Sequence, residues 1–137
     1  MKKRIASLDY GLKRIGVAIS DENKIVAFPL GVIQAGKSSG ETIEKILALL
    51  KPYPLERIII GNPLHLNGKV GFLAGEVTQF IQLLQPHVPC EISLFDERLS
   101  SLQADRSLKD AGKKRKERSQ HIDAVAALLI LQSYLGY

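Results

Sequence analysis

Residues 5–19 read Ile-Ala-Ser-Leu-Asp-Tyr-Gly-Leu-Lys-Arg-Ile-Gly-Val-Ala-Ile, and the rest of the architecture grows out of this run. Ile5 to Asp9 predicts a short apolar strand, while Ile15, Val17 and Ile19 alternate with smaller residues as in a second, half-buried strand. Gly11 lies between the two and Gly16 opens the second. Asp21-Glu22-Asn23-Lys24 follows as a polar turn, with Asp21 in the role of a turn residue. Ile25 to Ile33 then predicts a third extended segment, whose Pro29 points to an edge position or a bulge. Three strands in quick succession predict an antiparallel meander.

Beyond residue 40 the period changes. Ile43, Ile46, Leu47 and Leu50 recur at helical spacing from Glu41 onward, and Pro52 marks the end of that helix. Arg57-Ile58-Ile59-Ile60-Gly61 reads as a strand buried on both faces, the kind found inside parallel sheets. Leu73, Val77, Phe80, Ile81 and Leu84 predict a second helix ended by Pro86, and Cys90 to Phe95 a fifth strand, with Cys90 a core residue at its start. Ser101 to Ala111 has a helical pattern stopped by Gly112. Gln120 to Leu135 carries apolar residues almost all the way round, as a buried helix does. The expected fold class is α/β: one domain over residues 1–137, a mixed five-stranded sheet flanked by helices in the order β-β-β-α-β-α-β-α-α.

Composition limits the function classes. The 137 residues include 45% hydrophobic and 24% charged side chains, the balance of a folded domain able to bury a core without disulfides. The single cysteine cannot form an internal bridge, and no Cys/His spacing suggests a zinc site. Lys2, Lys3 and Arg4 are followed by an apolar stretch too short for an export signal. The longest apolar run, Ala124 to Leu131, is far below the roughly 18 residues of a membrane span. A cytoplasmic protein with no membrane partner is expected. The net charge is +5, and much of the excess sits in Lys113-Lys114-Arg115-Lys116-Glu117-Arg118. Such a cluster suits a phosphate-rich partner, or else a solvated loop. With Gly112 as a stop before it and Ser119 as a cap after it, the segment is expected to be a mobile basic flap.

Three acids stand where the fold would bring them near one another. Asp9 ends an apolar strand at a glycine turn, and strand ends of open α/β sheets are where ligands bind. Asp96 and Glu97 hold a comparable place after the fifth strand, and because strand side chains alternate only one of them can look toward Asp9. Asp96 falls on the side of Ile92 and Leu94, Glu97 on the side of Ser93 and Phe95. Asp123 is expected in the first turn of the last helix, on the face of Ala126, Ala127 and Ile130. The helix dipole alone could account for it, with Ser119 as N-cap. Clustered carboxylates repel one another unless cations neutralise them, and hard oxygen ligands select Mg²⁺ or Mn²⁺. Two such ions about 3.5–4 Å apart can activate a water and stabilise the leaving oxygen in phosphodiester cleavage.

Four segments carry a resemblance that spans nearly the whole chain. Asp9-Tyr10-Gly11-Leu12-Lys13-Arg14-Ile15-Gly16-Val17-Ala18 is similar to the opening D-x-G-x-x-R-I-G-V-A motif of the YqgF/RuvX family, related to Holliday-junction resolvases and described as pre-16S rRNA nucleases. Gly61-Asn62-Pro63-Leu64 through Asn67-Gly68 resembles its G-x-P-x-x-x-x-G loop, Asp96-Glu97-Arg98-Leu99-Ser100 its D-E-R-L-[ST] motif, and Ile122 to Ala127 its closing helix. The resemblance implies a ribonuclease-H-like fold and a metal-dependent endonuclease that matures the 5′ end of pre-16S ribosomal RNA in the cytoplasm. It implies Asp9, Glu97 and Asp123 as the metal-binding, catalytic acids. The wider superfamily carries an acid on the fourth strand, whereas Ile58-Ile59-Ile60-Gly61 has none.

Among the remaining residues, Arg14 and Arg98 suit bidentate contact with phosphates, as do Lys113, Lys114, Arg115 and Lys116 as simple cations. Arg14 and Arg98 could equally pair with the site carboxylates. Gly11, Gly61, Pro63 and Gly68 would shape loops at the rim. His65 could assist proton transfer, but a loop histidine without a visible partner is more simply incidental. Other classes stay in view: a Holliday-junction resolvase acting on branched DNA, a non-catalytic RNA-binding ribosome-assembly factor, and an actin/sugar-kinase type of ATPase. The last needs two domains around a cleft, and the chain has room for one. Monomer and homodimer both remain open.

Overall fold

A computed structural model describes residues 3–11, 13–62, 70–96 and 115–136. The elements are β1 (Arg4–Asp9), β2 (Arg14–Ser20), β3 (Ala27–Gln34), α1 (Ser39–Leu50), β4 (Leu55–Asn62), α2 (Val70–Leu84), a 3₁₀ turn (Gln85–His87), β5 (Glu91–Asp96) and α3 (Arg115–Leu135). The sheet runs β3-β2-β1-β4-β5. The β1–β2 and β2–β3 pairs are antiparallel, and the β1–β4 and β4–β5 pairs parallel. The expected meander and mixed five-stranded sheet are both present. The helix expected over Ser101–Ala111 lies outside the described residues.

Local chemistry explains the boundaries. Ser38 caps α1, its Oγ accepting from the Glu41 amide at 3.2 Å, and the Glu41 carboxylate accepts from the Lys37 amide at 3.1 Å. The helix therefore begins at Ser39, ahead of the first apolar residue that shows its period. Pro29 meets both expectations, since β3 is an edge strand and the β2–β3 register shifts between Val17 and Ala18, opposite Gly31 and Pro29.

Both faces of the sheet are covered. On one, Ala6, Leu8, Val17, Ile58 and Ile60 meet Ile43, Ile46 and Leu50 of α1 and Val77, Phe80 and Leu84 of α2. On the other, Ile5, Ala18, Ala27 and Ile59 meet Ala127, Ile130 and Leu131 of α3. Ile58, Ile59 and Ile60 are all fully buried and alternate between the two cores, which is why that strand shows no period of two.

Candidate active site

Asp9 is the last residue of β1 and only 9% exposed. Alternation from Ile5 through Ser7 puts it on the face that α3 covers. Its partner across the antiparallel ladder is Gly16. On the parallel side Leu8 pairs with Ile60, so the next residue of β4, Gly61, stands level with Asp9. The positions directly across from Asp9 on the two neighbouring strands are therefore both glycines. Arg14, at the start of β2, falls on the same face as Gly16 and is half-buried. Gly11 shapes the intervening turn: a Cβ there would lie 2.5 Å from the Arg14 carbonyl oxygen, so only glycine fits.

The helix α3 lies against this face. Ser7 Oγ donates a buried 2.7 Å hydrogen bond to the Ala127 carbonyl oxygen, and Ala126, Ala127 and Ile130 are fully buried, as expected for the face that position 123 shares. The start of the helix differs from expectation. It begins at Arg115, so Ser119 is an interior residue and not a cap, and Asp123 stands beyond the second turn, out of reach of the strongest N-terminal dipole effect. Arg115 to Arg118 are helical, which removes four of the six residues of the expected mobile flap. Lysine, arginine, glutamate and glutamine are good helix formers, and nothing in 115–120 stops a helix growing back from the buried core.

β5 ends at Asp96, opposite Asn62, which closes β4. Ile92 packs with the α1–α2 core and Phe95 with the α3 core, so the register assigns position 96 to the α1–α2 face. Glu97, Arg98, Lys113, Lys114, Pro63, His65 and Gly68 lie outside the described residues. Among the described residues no three His, Cys, Asp or Glu side chains cluster as metal ligands. β4 carries no acid at its C-terminal end. Its Glu56 sits at the opposite edge, paired with Lys24 at 3.0 Å.

Two features were not anticipated from the sequence. One is Ser7, whose partner is 120 positions away. The other is a polar cleft of about 310 Å³ lined by Tyr10, Gly11, Lys37, Ser38, Thr42 and Glu76 among others. Tyr10 packs on Phe80 at 4.9 Å, on the face away from Asp9, and burial together with the nearby Glu76 charge raises its hydroxyl pKa. Nothing in the sequence ties these segments together. Two bland assignments hold: Asp21 Oδ1 accepts from the Ile25 and Val26 amides at 2.8 and 3.0 Å, and Cys90 is a buried thiol whose pKa burial pushes up. No helix among the described residues is long and apolar enough to cross a membrane.

The family model RuvX, described as Holliday junction resolvase, matches residues 3–137. A protein of Protochlamydia amoebophila named "Putative pre-16S rRNA nuclease" is 46% identical over 138 residues, covering 96% of this chain and 92% of its own length. Relatives of the same name from Halothermothrix orenii and Lactococcus lactis subsp. lactis are 43% and 39% identical, each over 98% of this chain and 95% of the relative. Among solved structures, T. thermophilus RuvC in complex with Holliday junction substrate superposes with a TM-score of 0.58 at 16% identity, over 98% of this chain and 96% of that one. At that identity the likeness concerns the fold, which is ribonuclease-H-like.

Proposed function

The chain belongs to the RuvX family of Holliday junction resolvases, a family of phosphodiester-cleaving nucleases, and on that premise we propose that it is a metal-dependent endonuclease for pre-16S ribosomal RNA. The observation that carries the reading is the placement of Asp9, a buried carboxylate at the C-terminal end of a central strand, bordered on its own face by two glycine positions. A buried acid at the C-terminal end of a central strand suits a ligand that brings its own charge.

The donor set fits a hard divalent cation such as Mg²⁺ or Mn²⁺, because Asp9, Glu97 and Asp123 supply only carboxylate oxygens. When bound, such an ion lowers the pKa of a water and stabilises the leaving oxygen. The rest falls to the chain itself. Asp9 closes β1, Asp123 belongs to α3, the helix that covers that face of the sheet, and Glu97 is the acid that follows β5 in the chain. Arg14 on that face, Arg98 and the cations at 113–116 hold backbone phosphates and orient the scissile bond.

Ribosomal RNA is favoured as substrate by the name shared among relatives at 39–46% identity. Branched DNA is the second reading, resting on the family's description. Purified protein incubated with pre-16S RNA and with four-way-junction DNA, each with and without Mn²⁺, separates the two. Cleavage of the RNA alone, and only with metal, is the expected result. Cleavage of the junction alone would transfer the assignment to the resolvase. Tight RNA binding without cleavage, indifferent to metal, would favour a non-catalytic assembly factor.

A further inference from the structure

The sheet face beneath α3 mixes large and small side chains: Ile5 and Ile59 pack with Ile130 and Leu131, while Ser7 and Ala18 are small. Ala18 packs with Ala127 and Ser7 bonds to it, and all three are fully buried. The large residues set the spacing of helix and sheet, but apolar packing is non-directional, and the small residues around Ser7 and Ala127 raise no ridge that fixes the local register. A directional contact crosses this interface, the 2.7 Å hydrogen bond from Ser7 Oγ to the Ala127 carbonyl oxygen. Ser7 stands two residues before Asp9 on β1, and Ala127 stands one turn after Asp123 on α3. At about 3.3 Å per strand residue and about 1.5 Å per helical residue, each proposed ligand is about 6–7 Å along its element from this bond.

We propose that Ser7 is a positioning residue: its hydroxyl fixes the register of α3 against β1, and with it the separation of Asp9 from Asp123. The proposal rests on the reading of those two acids as metal ligands. The Ala127 carbonyl lies inside α3 and already accepts the amide four residues on, so it does not need Ser7 to be satisfied. Removing the hydroxyl thus orphans no backbone group, and a purely structural serine would leave metal affinity untouched. A register pin would not, since groups that orient ligands typically govern affinity by about tenfold or more.

The test titrates Mn²⁺ alone onto the full-length protein and reads the free ion by its paramagnetic resonance signal, alongside thermal melts. Ser7→Ala is expected to weaken Mn²⁺ binding about tenfold. Ile130→Val, which trims the same interface without touching the hydrogen bond, is expected to lower the melting temperature and leave Mn²⁺ binding unchanged. If Ser7→Ala binds Mn²⁺ as the unmodified protein does while Asp9→Asn does not, the pin is overturned and the metal site stands. If Asp9→Asn also binds normally, the metal reading itself fails and the pin falls with it.

Discussion

Asp9 and Gly16 face one another across the β1–β2 ladder, so the residue directly opposite the acid that closes β1 is a glycine. Asp9→Asn is nearly isosteric and should remove a proposed ligand with little change in packing. Loss of several kcal/mol of transition-state stabilisation means a fall in cleavage of about a hundredfold or more, with melting nearly unchanged. Gly16→Val should also depress cleavage, by placing a branched side chain on the same face. Single-turnover rates in Mn²⁺ check both, and a fully active Asp9→Asn would remove Asp9 from the site.

Asp96, the last residue of β5, and Glu97, the next in the chain, are expected not to be interchangeable. Asp96 pairs with Asn62 and shares the register face of Ile92, which packs toward α1 and α2. Glu97→Gln should abolish cleavage, whereas Asp96→Asn should keep it within a few-fold. Loss of activity only in the Asp96 variant would reverse the assignment.

How legible all this is in the sequence depends on where each partner lies. Ile58, Ile59 and Ile60 announce a doubly covered strand because burial on both faces leaves no polar alternate. Asp9 stands out because a carboxylate after four apolar or small residues is unusual in a central strand. Ser7, by contrast, looks like an ordinary small strand residue, and only the folded chain reveals its bond to Ala127. The start of α3 is hidden in the sequence for a different reason. Residues 113–118 show no apolar period and so resemble a loop, yet from Arg115 onward they are helical, carried by propensity and by the buried turns that follow.

The start of α3 is itself testable. A serine cap removed by Ser119→Ala would cost about 1 kcal/mol. Inside a helix the same change exchanges a moderate helix former for the best one, worth up to about 0.5 kcal/mol in the stabilising direction. Because Ser119 is interior to α3, denaturant melts should show Ser119→Ala to be neutral or slightly more stable. A clear loss of stability would restore the shorter helix.

Asp21 links stability to pH. Hydrogen bonds from the Val26 and Ile25 amides hold its carboxyl below the ordinary value of 3.8. A carboxyl depressed in the folded state contributes stability above its unfolded pKa and loses it as pH falls through the folded one. Asp21→Ala should accordingly be less stable than the unmodified protein at neutral pH, with the difference closing as the pH drops below 3.8. Melts across that range check it, and a difference independent of pH would mean that the hairpin is held by something other than the carboxylate.

The basic segment should show opposite effects on stability and binding. Arg115 and Lys116 occupy the first turn of α3, where the helix dipole disfavours cations by about 0.3–1 kcal/mol each. Replacing both with alanine removes that penalty and raises helix propensity, so the protein should become slightly more stable. The same replacement removes two charges proposed to hold the substrate backbone. Each phosphate neutralised adds about 0.7 on a single strand, or about 0.9 on a duplex, to the slope of log affinity against log salt. Extending the change to Lys113 and Lys114 should flatten that slope further, while Mn²⁺ binding stays constant. RNA binding measured across a salt series, with melts on the same proteins, decides the matter. Unchanged affinity and slope would reduce the cluster to a solvated helix start, and substrate binding would then rest on Arg14 and Arg98.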